Sequence, residues 1–147
     1  MPENQKNKLS EASPSVQAHL GILQNVIDRM SSNSNSTKAW CVTLVSAILV
    51  VVADKGKPNF AWIALIPTLL FASLDIYYLA LEKGFRNGYN AFTNKLHDGK
   101  LETSDLYSVD SVGKQSCLRF KAAASFSVWG FYGAILLMIA LTRWLVL

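Results

Sequence analysis

"FAWIALIPTLLFASLDIYYLAL", Phe60 to Leu81, holds a single charged residue, Asp75. A helix of this length crosses the roughly 30 Å hydrocarbon core of a bilayer. Such a low charge over such a length is read as a membrane span. Two other stretches read the same way. Ala39 to Ala53 carries no charge, and Ala122 to Leu147 carries only Arg143. The first is short, but it spans if Lys38 extends its ammonium to the interface or the bilayer thins locally. The competing reading is a soluble helical bundle with unusually apolar helices. Trp40, Trp62 and Trp144 stand near the segment ends, where interfacial anchors belong, and weigh against it.

The fold class expected is an all-α integral membrane protein with three transmembrane helices. Residues 38–54 and 60–81 form a hairpin, and 120–147 form a C-terminal span. "DKGKPN" is the hairpin turn, since Gly56 and Pro58 both break helices. Pro67 falls inside the second span and should kink it, with Thr68 helping to satisfy the freed backbone.

At 147 residues the chain is about one domain, and its 51% hydrophobic content is clustered in these spans. The polar start shows no early apolar leader, so the first span is expected to insert uncleaved. Lysine and arginine set the orientation. Lys6, Lys8, Arg29 and Lys38 precede the first span, and Lys83, Arg86, Lys95, Lys100, Lys114, Arg119 and Lys121 lie between the second and third. The short turn holds only Lys55 and Lys57. The N-terminus and long connection are therefore expected in the cytoplasm, and the C-terminus outside. The net charge of +4 fits that cytoplasmic face better than nucleic acid, and no direct nucleic-acid binding is expected.

Residues 1–14 read as a disordered polar tail. Pro14, with Ser13 as N-cap, opens an amphipathic helix and neck over 15–37. Val16, Leu20, Leu23, Ile27 and Met30 recur at heptad-like spacing. Carried on, the seam reaches Ser34, Thr37, Cys41, Leu44 and Ile48. One helix can run from the cytoplasm into the first span, unless the Ser/Asn neck "SSNSNST" interrupts it. The second span continues as a cytoplasmic helix over 82–97, with Phe85, Tyr89, Phe92 and Leu96 on its apolar stripe. Gly84 and Gly88 weaken that helix. The economical arrangement pairs the two cytoplasmic helices. Leu20, Leu23, Ile27, Met30, Phe85, Tyr89 and Phe92 also form the candidate oligomer or partner seam. Residues 98–119 read as a polar linker. In the third span Ala123, Ser127, Gly130 and Ala134 form a small-residue packing face.

Asp75 is the candidate polar site. It lies about 9 Å inside the second span at the helical rise. A charge there is costly unless paired, hydrated or protonated. Lys38 is the expected partner, Thr43 a second one, and Arg86 with Glu82 shares roughly its face. The two readings are an ion pair that fixes the hairpin register, or a hydrated ion path. No serine-hydrolase elbow, zinc-protease motif or phosphate loop is present, so no catalysis and no cofactor are expected. Cys41 and Cys117 lie at different depths and should not pair, and no metal spacing is evident. His19 and His97 read as solvated surface histidines away from the membrane.

"LQNVIDRMSSNSNSTKAWCVTLVSAILVVVADK" followed by "LDIYYLALEKGFRNGYNAF" resembles the SLATT-type small bacterial membrane proteins found with antiviral defence genes. The resemblance rests on Arg29 before the neck, on "KAWCVTLVSA", and on Asp75, Tyr77, Tyr78, Glu82, Phe85 and Arg86. It covers Leu23 to Phe92, and the third span is added to that plan. It implies a bacterial inner-membrane effector that oligomerises and opens the membrane when a cytoplasmic sensor protein or nucleotide signal activates it. Two other readings stand beside it: a non-conducting anchor for a cytoplasmic partner, and a small proton-coupled carrier.

Overall fold

The computed structural model describes residues 9–145, and residues 1–8, which include Lys6, Lys8 and most of the expected tail, lie outside it, as do Val146 and Leu147. Among the described residues every regular element is helical. Helix α1 runs Pro14–Lys55, 42 residues without a break. Pro14 supplies the first-turn geometry, where a missing N–H costs nothing. The Ser/Asn neck stays helical because tertiary burial holds it: Met30, Ser34 and Thr37 are all buried. Gly56 ends the helix in the left-handed conformation, φ 58°, which costs glycine no steric penalty.

The chain then turns through a 3₁₀ segment, Pro58–Ala64, into α2, Leu65–His97. The expected kink at Pro67 takes another form. Pro67 sits in the first turn of α2, just after the switch from 3₁₀ to α geometry, where an absent N–H is best tolerated. The Thr68 hydroxyl donates to the Ala64 carbonyl at 2.7 Å and satisfies one acceptor beside that switch.

Helices α1 and α2 pack along their whole length and form the hairpin. The buried row of α1 follows Val16, His19, Leu23, Met30, Ser34, Thr37, Cys41, Val45, Leu49 and Val52. After Cys41 it leaves the strict heptad, so Val45 and Leu49 are buried in place of Leu44 and Ile48 as the centre of the seam. A straight helix drifts about 20° per heptad from a 3.5-residue repeat, which carries the buried row off Leu44 and Ile48.

The connection after α2 is not the loose polar linker expected over 98–119. A short 3₁₀ turn, Thr103–Asp105, is followed by a segment that folds back on the N-terminal part of α1 and the C-terminal part of α2. Leu101, Leu106 and Val109 pack on Val16, Leu23 and Phe92, and Leu9 joins them from the N-terminal side. The Val112 N–H donates to the Gly84 carbonyl at 3.0 Å, and the Asn87 amide donates to the Val112 carbonyl at 3.1 Å. A Cβ at Gly84 would overlap the Ser111 hydroxyl, and one at Gly88 would lie 2.8 Å from the Asp110 carbonyl oxygen. The two glycines that weaken α2 by propensity are the places where the connection's backbone comes closest.

Helix α3, Gln115–Ala123, begins inside the expected linker, and α4, Phe126–Leu145, follows after a bend at Ala124 and Ser125. The third apolar segment is thus two helices. Leu118 and Ala122 of α3 pack on Ala80 of α2. Val128, Tyr132, Ile135 and Ile139 of α4 pack on Cys41, Val45, Leu49 and Val52 of α1. Three helical stretches, Pro14–Lys55, Pro58–His97 and Phe126–Leu145, are long and apolar enough to cross a membrane. Exposed Val50, Ile66, Leu69, Trp129 and Leu137 give them an apolar outer surface, as a lipid solvent requires.

Candidate functional site

Asp75 is fully buried between the arms of the hairpin. The Lys38 ammonium lies 2.7 Å from Oδ2 and donates to Oδ1 at 2.8 Å. The Ser34 hydroxyl also donates to Oδ1, at 2.5 Å, and accepts from Lys38 Nζ at 3.0 Å. The three side chains form a closed triangle. Oδ2 meets the ammonium off the hydrogen-bond direction and has no hydrogen-bond partner among the described residues. That oxygen is held by charge alone.

Helical geometry explains which residues meet. Ser34 and Lys38 are four apart on α1 and share a face. Thr43 is five beyond Lys38, nearly on the opposite side of the helix. Its hydroxyl donates instead to the Ala39 carbonyl at 3.0 Å, and the residue is exposed. Thr43 is thus no partner of Asp75, and Ser34 takes that place. The carboxylate lies level with the polar neck at Ser34, about 10 Å before Cys41 along α1 at 1.5 Å per residue. Ser34 is legible as a member of the extended apolar seam, one turn from Lys38 at the N-terminal end of the first apolar stretch.

One face of α2 continues the polar column. Glu82 is buried and takes the Arg86 guanidinium at 2.9 Å, while Arg86 itself is largely exposed. Arg86 therefore does not reach Asp75. A groove of about 420 Å³ opens beside it, lined by Gln24, Ile27, Asp28, Arg86, Tyr89 and Asn90. On the far side, buried Tyr132 of α4 has no hydrogen-bond partner for its hydroxyl among the described residues.

The candidate seam residues serve within the chain. Leu23 and Phe92 are buried, and Leu20 and Tyr89 pack on the same cluster. Met30 is buried, and Ile27 and Phe85 are half-buried. The small-residue face divides. Ala123 belongs to α3, Ser127 and Ala134 of α4 are exposed, and Gly130 lies under the Phe126 ring. The buried face of α4 is the larger row from Val128 to Ile139.

His19 is not solvated. It is buried, stacks on Phe92 at 4.4 Å, and accepts the Tyr107 backbone N–H through Nδ1 at 3.0 Å. That bond fixes the neutral tautomer with its proton on Nε2. Tyr107 has φ 65°, an uncommon conformation for a residue with a Cβ, so the histidine clamps the most strained turn of the connection. Burial lowers the His19 pKa, and the nearby Asp105 carboxylate partly opposes the shift. The hydrogen bond from Lys95 holds Asp105 below the usual carboxylate range. His97 lies elsewhere, 3.5 Å from Glu11 on the surface. Cys41 is buried and Cys117 exposed, both unbridged.

The fold and site define an all-helical chain with three helices able to span a membrane and a buried ion pair clasping the first two. Comparisons with protein-family profiles, curated proteins and solved structures returned no match.

Proposed function

We propose that this chain is an oligomeric effector of the bacterial inner membrane, of the antiviral kind its sequence resembles, held closed by the Ser34–Lys38–Asp75 cluster. The observation that carries the reading is a fully buried carboxylate whose charge is met by a single ammonium between two membrane-spanning arms. Such a pair contributes little net stability but is strongly destabilising when broken, so it suits a clasp with two states. Opening it exposes a lysine, a carboxylate and the serine- and asparagine-rich neck along one seam, a path that water and ions can follow. One chain with three spans is too thin to enclose a pore, so several copies must assemble. Lipid-facing surfaces of the spans would join them, because the cytoplasmic seam is already used inside each chain. A cytoplasmic partner or small signal would act on the polar groove around Arg86, whose partner Glu82 lies two turns along α2 from Asp75.

Membrane potential in a bacterial host during induced expression tests this. The wild type should leave the cell polarised until its partner or signal is present, and Asp75→Asn, which breaks the clasp, should depolarise it without either at equal membrane abundance. If Asp75→Asn disappears from the membrane, and Lys38→Asp combined with Asp75→Lys restores abundance without depolarisation, the pair serves only to set hairpin register. The pairing of all three side chains with one another favours that second reading, a non-conducting anchor whose partner docks on the cytoplasmic helices. Co-purification of one stoichiometric partner without conductance would establish it.

A further inference from the structure

An apolar groove of about 520 Å³ runs along the outer side of α1 toward the hairpin turn. Leu44, Ile48, Val51 and Val52 form one wall, and Phe60 and Ile63 of the 3₁₀ segment form the other. Ala47 keeps its floor shallow in side-chain bulk. Lys55 and Lys57 stand at its mouth. Lys55 has a loose contact with Asp54 at 3.6 Å, both groups being exposed. Lys57 has no carboxylate partner among the described residues, and its ammonium lies over the Phe60 ring at 5.9 Å. At the same end the Arg143 guanidinium covers the Trp62 ring at 5.0 Å, which marks the interface level.

We infer that this groove binds one anionic phospholipid, its acyl chain along α1 and its phosphate between Lys55 and Lys57. Three observations select that occupant. From Leu44 to Lys55 the helix rises about 16 Å, close to the thickness of one hydrocarbon leaflet, about half of 30 Å. The walls are apolar throughout, so a chain of methylenes fits and a polar ligand does not. Two cations sit at the only end that reaches the headgroup region, and the nearest carboxylate, Asp54, is turned to solvent beside one of them. Phe60 and Ile63 of the 3₁₀ segment face the α1 wall across the groove, and a bound chain would fill the space between. The inference rests on membrane insertion of the spans and is independent of whether the protein conducts.

The test uses the full-length protein, first shown by alkaline extraction to be integral to the membrane. Extraction by alkali would remove the membrane reading itself, before any lipid is measured. Native mass spectrometry then follows titration with phosphatidylglycerol or phosphatidylcholine in mild detergent. One phosphatidylglycerol per chain should bind in preference to phosphatidylcholine. Lys55→Gln and Lys57→Gln should each weaken it roughly fivefold, the effect of one cation near an anionic headgroup. Ala47→Trp should fill the groove and abolish binding with helix content unchanged. Where Ala47→Trp fails to fold, Val51→Trp at the exposed wall replaces it. Equal retention of the two lipids, or retention unaffected by the lysine and groove-filling variants, overturns the inference. So does chain-to-chain crosslinking through Ile48→Cys in a cysteine-free background, which would make a second copy the occupant.

Discussion

Asp75 and His19 show how burial converts an ordinary side chain into a constraint. Removing either partner of the Lys38–Asp75 pair leaves an uncompensated charge among apolar helices, a loss of about 3–5 kcal/mol. Lys38→Met and Asp75→Asn should each lower the unfolding free energy in mixed-detergent titration by that order. The reversed pair, Lys38→Asp with Asp75→Lys, should recover part of it. His19 carries a pH dependence whose sign follows from its lowered pKa. Above about pH 6.5, the ordinary histidine value, both folded and unfolded forms are neutral and the clamp on Tyr107 is complete. As pH falls below that value the unfolded state takes up the proton first, so stability is lost down to the depressed folded pKa. Protonating Nδ1 also removes the acceptor for the Tyr107 N–H. Hydrogen exchange at the Tyr107 amide should therefore accelerate between pH 7 and pH 5.5 beyond its intrinsic pH trend, and His19→Gln should flatten that excess.

The connection between α2 and α3 is organised by what α2 lacks. Gly84 and Gly88 open a furrow in which Ser111 and the Asp110 carbonyl lie against the helix. Propensity counts both residues against a helix, by about 1 kcal/mol each relative to alanine. The packing they permit offsets that loss. Gly88→Ala should improve the isolated helix yet displace the connection, because the obstructing atom is backbone and cannot rotate away. Overpacking of this kind costs about 1–3 kcal/mol. Limited proteolysis between Asp98 and Lys114 should speed up in Gly88→Ala while the spans remain protected. Faster cleavage confined to the N-terminal tail would contradict this account. Helix α1 poses the complementary case. Ser31 to Thr37 has weak helix formers, yet α1 passes through it unbroken because Met30, Ser34 and Thr37 are buried against α2.

At the scale of the molecule, three apolar helices and the lysine distribution define a testable topology. Cys117 is the exposed one of the two cysteines, and it lies on the side of Lys114, Arg119 and Lys121. A membrane-impermeant maleimide should label Cys117 in inverted vesicles and spare it in intact spheroplasts. Lys57→Cys, in the hairpin turn, should show the opposite pattern. Labelling of both from the same side would remove the second span, and an exchange of the two patterns would reverse the orientation.

Much of this architecture was open to reading in one dimension, because burial in a bilayer demands long uncharged runs and hydrophobic periodicity records which face is covered. The three long apolar helices, the turn at Gly56 and Pro58, the start at Pro14 and the pairing of Lys38 with Asp75 all follow from such local rules. Other features needed the tertiary structure. Ser34 rather than Thr43 completes the cluster because the rotation of α1 and the level of α2 decide which hydroxyl reaches the carboxylate. The 3₁₀ entry that seats Pro67, the bend at Ser125 and the docking of residues 101–112 depend on packing between segments far apart in sequence. His19 is the clearest instance. Nothing in its neighbours along the chain predicts a buried acceptor, because the N–H it receives belongs to Tyr107, and only folding the connection back over α1 brings the two within 3.0 Å.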